Sequence, residues 1–390
     1  MNFRLITSAI MLLMVCACTS VVQLKEDLSE RVFGREQASD MSELVTIEKP
    51  SIQGKLLWKT SLSASLDFDF TPAVADGFVY AASLKGDIVK INANTGQIAW
   101  RINTGEDLTG GVGVADGKLL VGSEKGYLIA YDLNGKPLWK TKLSSQVLSV
   151  PMLDANIAVV RCGDSRIYGV QLNDGSKKWV YERSNPTLTI RSSAGVAVGD
   201  GFAYAGFAGG KMVAIRVEDG KLVWEVSVAQ PKGTTEIERI ADITSSPVID
   251  GPLVYAVAYQ GKVAAVERGS GRVIWNRDIS SYTGLDADGG KVFIAHANSA
   301  IYALDYASGK TFWRQADLKQ RRITAPLPLD SAVVVGDVEG YLHFLSREDG
   351  SFLGRMETSS GAVMPKMTSL GKNSLVAQNR NGDVYAVSIK

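Results

Sequence analysis

The sequence predicts an all-β chain built from repeated four-stranded antiparallel units, and three observations predict it. Each of the seven tryptophans follows a glycine by four residues, and these glycines recur at intervals of 38 to 51 residues. Ahead of each such pair after the first lies a short segment in which apolar and polar residues alternate, the period of a half-buried strand. The two ends of the chain each carry an incomplete copy of the unit, and together the pieces make one whole.

The register is strict. The segments are Gly54-KLL-Trp58, Gly96-QIA-Trp100, Gly135-KPL-Trp139, Gly175-SKK-Trp179, Gly220-KLV-Trp224, Gly271-RVI-Trp275 and Gly309-KTF-Trp313, with an eighth, Gly350-SFL-Gly354, that lacks the tryptophan. Successive glycines are 42, 39, 40, 45, 51, 38 and 41 residues apart, the period of propeller blades. Alternating segments such as Gly126-YLIAYDLN and Gly210-KMVAIRVED precede the Gly-Trp segments, joined to them by Asn/Asp/Ser/Thr-Gly hairpin signals. A four-stranded blade cannot bury both faces alone. Radial packing buries them against neighbours and leaves only short edges. The segment at Gly54 has no strands of its own before it, and the last alternating strand, Gly382-DVYAVSIK, has no Gly-Trp segment after it. The expectation is an eight-bladed β-propeller over 51–390, closed by the N-terminal strand as the outermost strand of the C-terminal blade. Gly354 is expected beside a smaller neighbour or at a looser seam.

Residues 1–17 read as an export signal: Arg4 precedes an 11-residue apolar run, Leu5 to Val15, too short to span a bilayer. The run ends in Val15-Cys16-Ala17-Cys18, which resembles the bacterial lipobox. On that resemblance Cys18 is acylated and becomes the mature first residue, and Thr19 in place of Asp points to the outer membrane. Residues 18–50 are polar and mixed in charge, read as a flexible tether with a coil dimension of roughly 30 Å.

Composition narrows the chemistry. Lys plus Arg is 42 and Asp plus Glu is 41, so no net charge favours nucleic acid or an acidic surface. With two histidines and three cysteines, a disulfide scaffold is excluded and a Cys/His zinc site is not expected. Cys162 lies in an apolar strand and reads as buried and inert. His296 and His343 lie in repeat strands without a Ser or Cys partner and read as structural. Asp67 and Asp69 read as a solvated strand or loop rather than a metal site. No phosphate-binding glycine loop stands between a strand and a helix. The sequence therefore presents no catalytic constellation, and neither cofactor nor metal is expected.

Loop length locates a candidate surface. From a tryptophan to the start of the next blade takes 14 residues at Trp58–Pro72, 12 at Trp139–Pro151 and 13 at Trp313–Pro326. It takes about 17 from Trp179 to Val196 and 23 from Trp224 to Pro247. These two long loops are consecutive and emerge on one face, where insertions in repeat proteins often bind. The first carries Leu188, Ile190 and Arg191, the second Glu236, Glu238, Arg239 and Asp242. Arginine is a favoured anchor at interfaces. The bland alternative is that Leu188 and Ile190 pack the loop down.

The unit Ala-[Leu/Ile/Val]-[Asp/Asn]-x-x-[Thr/Ser/Asp]-Gly-x-x-x-Trp resembles the repeat of quinoprotein dehydrogenases, in which the tryptophan stacks on the neighbouring blade. Those enzymes need calcium, an oxygen-rich ligand set and a catalytic Asp, and many have an adjacent cysteine pair. The mature chain has no such pair. With the lipobox, the tether and the segments Gly233–Asp242, Val335–Phe344 and Leu188–Arg191, the chain resembles the BamB family, propeller lipoproteins of the outer-membrane β-barrel assembly machinery. The resemblance implies a non-enzymatic scaffold on the periplasmic face of the outer membrane. It implies contact with the periplasmic domains of BamA through a Leu-x-Leu-Arg and a nearby Asp-x-Asp segment. Here Ile190 replaces the second Leu and Thr244 stands at the second acidic position. Contact with nascent outer-membrane proteins, by strand addition at a blade edge, stays open. A periplasmic quinoprotein dehydrogenase is the alternative.

Overall fold

The computed structural model describes residues 41–65, 68, 70–358 and 361–390. Asp67, Asp69, the export signal and Cys18 lie outside the described residues. Eight four-stranded antiparallel sheets follow one another in sequence order. Blades 1 to 7 span 73–103, 108–142, 152–181, 196–227, 248–277, 284–315 and 327–357. Blade 8 joins 368–389 to the strand Gly54–Ser61, which pairs antiparallel with Asp383–Ile389 from Gly54 opposite Ile389 to Ser61 opposite Asp383. The chain's start thus supplies the fourth strand of its last blade. Among the described residues no helix is long and apolar enough to cross a membrane.

The repeat makes the seams between blades. Each tryptophan sits on a fourth strand and donates its indole N–H to a backbone carbonyl of the next blade: Trp58 to Ala93, Trp100 to Leu133, Trp139 to Leu172, Trp179 to Val217, Trp224 to Arg268, Trp275 to Tyr306 and Trp313 to Arg347, at 2.7 to 3.0 Å. The ring lies on the glycine of the next Gly-Trp segment. A Cβ on Gly96 (φ +71°) would stand 2.4 Å from Trp58 Cβ, so the same glycine serves the turn and the close approach. Apolar side chains from adjacent blades fill the space between: Tyr204, Met212 and Ala214 of blade 4 pack with Val254, Ala256 and Val266 of blade 5. Burial of each large one contributes about 1.5–3 kcal/mol.

Blade 7 lacks its tryptophan, and the seam there is tight rather than loose. A Cβ on Gly354 would lie 2.1 Å from the carbonyl oxygen of Ile52. Ser51 and Ile52 donate their N–H groups to Leu353 O at 2.8 and 3.0 Å, and Gln53 and Lys390 exchange backbone bonds. The bare glycine lets the entering chain approach, and main-chain hydrogen bonds replace the stacked indole.

The compact unit also begins earlier than residue 51. It runs from Ser42 to Lys390, because residues 42–50 are strapped along blade 7. Ser42 bonds through its N–H to Lys319 O and through its hydroxyl to Asp317 O. Arg321 donates to Ser42 O at 2.9 Å and Arg355 to Val45 O at 3.1 Å. Both arginines belong to a buried charged cluster. Arg321 Nε meets Asp337 Oδ2 at 2.8 Å and its Nη2 meets Glu339, while the same Asp337 oxygen accepts from His343 Nε2 at 2.9 Å. Arg355 Nε donates to His343 Nδ1, which leaves that imidazole neutral. The segment Val335–Phe344 therefore builds this cluster.

Candidate partner-binding surface

Within each blade the turn between the second and third strands lies at the same end as the inter-blade loops, and the two are hydrogen-bonded together. Gly163 N–H donates to Gln146 O, and Ile243 N–H to Phe207 O. At blades 3 to 5 this end carries the two long loops, between Tyr181 and Val196 and between Ser227 and Val248.

Asp242 ties them. Its carboxylate accepts from Ile190 N–H at 2.8 Å and from Gly209 N–H at 3.0 Å. Its own carbonyl accepts from Tyr259 N–H at 2.8 Å. It is 4% exposed, so its carboxylate lies inside the surface and holds the two loops together. Thr244 is buried as well and donates to Tyr282 O. Burial of the Asp242 carboxylate follows from the backbone: loop N–H groups out of regular structure need partners, and a carboxylate is a strong acceptor.

The displayed side chains are others. Leu188 is 43% exposed, Ile190 is half-buried and Arg191 is exposed. The Arg191 guanidinium donates to Gln146 Oε1 at 3.1 Å and lies 5.8 Å from the Phe68 ring, so it leans toward the loops that enter blades 3 and 1. Glu238 caps a single turn. It accepts from Thr234 and Thr235 N–H while its own N–H bonds Thr235 Oγ1, a reciprocal pair. The N–H bonds, Thr234's first, hold its carboxyl below the usual range. That turn presents Ile237, 67% exposed, and Arg239, also exposed. Gln260, in the orientation that satisfies its amide, donates to Ile237 O and Ile240 O. Ile237 was overlooked in the sequence although its signal was there, one aliphatic among Thr-Thr-Glu and Glu-Arg.

Between the loops lies a cavity of about 240 Å³, lined by Gln146, Arg161, Ile190, Arg191 and Asp242 among others. Arg161 is 8% exposed and donates through Nη1 to Gly206 O and Ala194 O. Burial pushes its pKa down to about 10, against the opposing charge of Asp242. Cys162 beside it is buried, which pushes its thiol up to about 11 and keeps it protonated. Among the described residues no group of three or more His, Cys, Asp or Glu side chains converges as a metal site.

A sequence profile of the family described as outer membrane protein assembly factor BamB matches residues 40–107, 84–315 and 290–390. The chain belongs to the BamB family. It is 35% identical to BamB of Nitrosomonas eutropha over 384 residues, covering 97% of this chain and 93% of that one. It is 31% identical to BamB of Escherichia coli K12 over 368 residues, covering 90% and 93%. The crystal structure of BamB from Moraxella catarrhalis superposes with a TM-score of 0.79 at 27% identity, over 86% of this chain and all of that one. A quinohemoprotein alcohol dehydrogenase from Comamonas testosteroni superposes at 0.68 with 14% identity, over 86% of this chain and 76% of that one. That second likeness is one of fold alone. The BamB relatives are outer-membrane assembly factors by name, and their likeness runs along nearly the whole propeller.

Proposed function

We propose that this chain is a non-enzymatic scaffold subunit of the outer-membrane β-barrel assembly machinery, anchored by acylated Cys18 at the periplasmic face. In this reading it holds the periplasmic domains of BamA through the long loops of blades 3 to 5. The observation that carries the reading is the joining of those loops by Asp242 into one ordered surface that displays Leu188, Ile190, Arg191 and Ile237. An ordered surface has lost its conformational entropy before the partner arrives, so less is lost on binding. An aliphatic pair beside an arginine is the composition of an interface centre.

Calorimetry against the soluble periplasmic domains of BamA tests this. Arg191→Ala is expected to weaken binding by roughly thirtyfold, about 2 kcal/mol. Leu188→Ala is expected to weaken it further, with the melting temperature unchanged because both side chains are exposed. Wild-type affinity in both folded variants would move the contact elsewhere on the ring. Cys18→Ser is expected to release the protein from membranes; retention without BamA would sink the anchor. Calcium-dependent uptake of PQQ with dye-linked alcohol oxidation would favour the dehydrogenase instead.

A further inference from the structure

Two guanidinium groups line the cavity between the long loops, and neither has a carboxylate within salt-bridge distance among the described residues. Arg161, at the end of the strand Ile157–Arg161, places Nη1 on Gly206 O at 2.6 Å and on Ala194 O at 3.3 Å. Among the described residues its Nε and Nη2 meet no acceptor, and the side chain lines the cavity. Among the described residues, Arg191 at the rim hydrogen-bonds the neutral Gln146 amide and no carboxylate. The one acid in the lining, Asp242, already has both oxygens on backbone N–H groups. Two cations and one occupied carboxylate leave the cavity one positive charge in excess.

Resting on the BamA-contact reading, we infer that this cavity is a socket for one aspartate or glutamate side chain of the docking partner, with Arg161 as its buried cation. A guanidinium offers a planar fork that suits a carboxylate in two parallel bonds, and Nε with Nη2 is one edge of that fork. The depressed pKa of Arg161 is what burial without an ion partner produces. A carboxylate brought against it would reverse that penalty. The volume, about 240 Å³, admits a carboxylate side chain together with displaced or retained water. The occupant is a partner side chain because the socket's wall includes Ile190 and Arg191, next to exposed Leu188. A surface docking on those side chains covers it.

The experiment crosses Arg161→Met and Arg161→Lys with single Asp→Asn and Glu→Gln changes in the soluble periplasmic domains of BamA, read by calorimetry. The expected result is binding about tenfold weaker or worse for Arg161→Met and a smaller loss for Arg161→Lys. One partner carboxylate should cost a similar factor with the wild type and nothing further with Arg161→Met. Wild-type affinity in both folded Arg161 variants overturns the socket, as does a partner carboxylate whose loss couples to Arg191 alone. If Arg161→Met does not fold, the Lys variant decides: wild-type affinity there, with no carboxylate coupled to Arg161, overturns the socket. Binding lost in Leu188→Ala but untouched by either Arg161 change removes the socket and keeps the partner reading. Absence of wild-type binding overturns both.

Discussion

Arg321 at blade 7 and Arg161 at blade 3 are both buried, and both lie at the end of the ring that carries the inter-blade loops. Around Arg321 the charges close on themselves. Asp337 faces it at 2.8 Å, Glu339 faces its other nitrogen, His343 shares the Asp337 oxygen, and the strap takes the remaining donor at Ser42 O. Around Arg161 they do not close: two backbone carbonyls take one nitrogen, and Asp242 is held by backbone N–H groups. The difference teaches that similar residue types make a structural latch where the buried Arg321 meets carboxylates and an open site where the buried cation meets none. Burial alone does not separate the two cases; the partner count does.

The largest expected effect comes from breaking the closed cluster. Asp337→Ala leaves Arg321 buried without its carboxylate and should cost about 3–5 kcal/mol, read by urea denaturation. A loss below about 1 kcal/mol would mean the cluster is worth no more than a surface pair. Asp242→Ala should cost less, about 2 kcal/mol for two lost charge-assisted bonds, and should speed hydrogen exchange at Ile190 and Gly209. Unchanged exchange there would separate the two loops.

Acidification sharpens the contrast further. Burial, the largest cause, lowers the His343 pKa from its ordinary value despite Asp337, and Arg355 and Arg321 act in the same direction as burial. The unfolded chain therefore takes up this proton first as pH falls. Stability contributed by neutral His343 is full above the unfolded pKa of about 6.5 and declines below it until the folded pKa is reached. Asp337, whose carboxyl is lowered through its bonds with His343, Tyr341 and Arg321 against burial, loses its contribution only in stronger acid. Melting temperature should fall between pH 7 and 5, and His343→Gln should flatten that slope. An unaltered slope in the variant would assign it to other groups. The smallest effect is at the open site. Arg161→Met should cost about 1 kcal/mol, because relief of the cation's desolvation offsets part of the loss when Gly206 O and Ala194 O give up their donor. A loss as large as that of Asp337→Ala would erase the contrast.

The ring was legible because its rules are local. Gly96 in the turn and Trp100 on the strand after it sit four residues apart, and the glycine that receives Trp58 is the one that turns the hairpin, so a single segment specifies both turn and seam. Blade count and closure by Gly54–Ser61 follow from repeating that segment. Loop lengths after Trp179 and Trp224 likewise pointed to the face that carries Leu188 and Arg191. The tie that Asp242 makes was not legible because its partners are far along the chain: Ile190 is 52 residues away and Gly209 is 33. Nothing in the local sequence says that those N–H groups need an acceptor.

What the amino-acid sequence determined by itself is thus the propeller, its seven tryptophan seams and the side that carries the long loops, all set by short-range periodicity. Only the tertiary structure decided that the eighth seam is closed by the Ile52 backbone, that residues 42–50 are latched by Arg321 and Arg355, and that Arg161 stands buried without an ion partner. Each of those depends on which donors and acceptors meet across tens or hundreds of residues. Burial makes such meetings energetically decisive, and no local pattern encodes them.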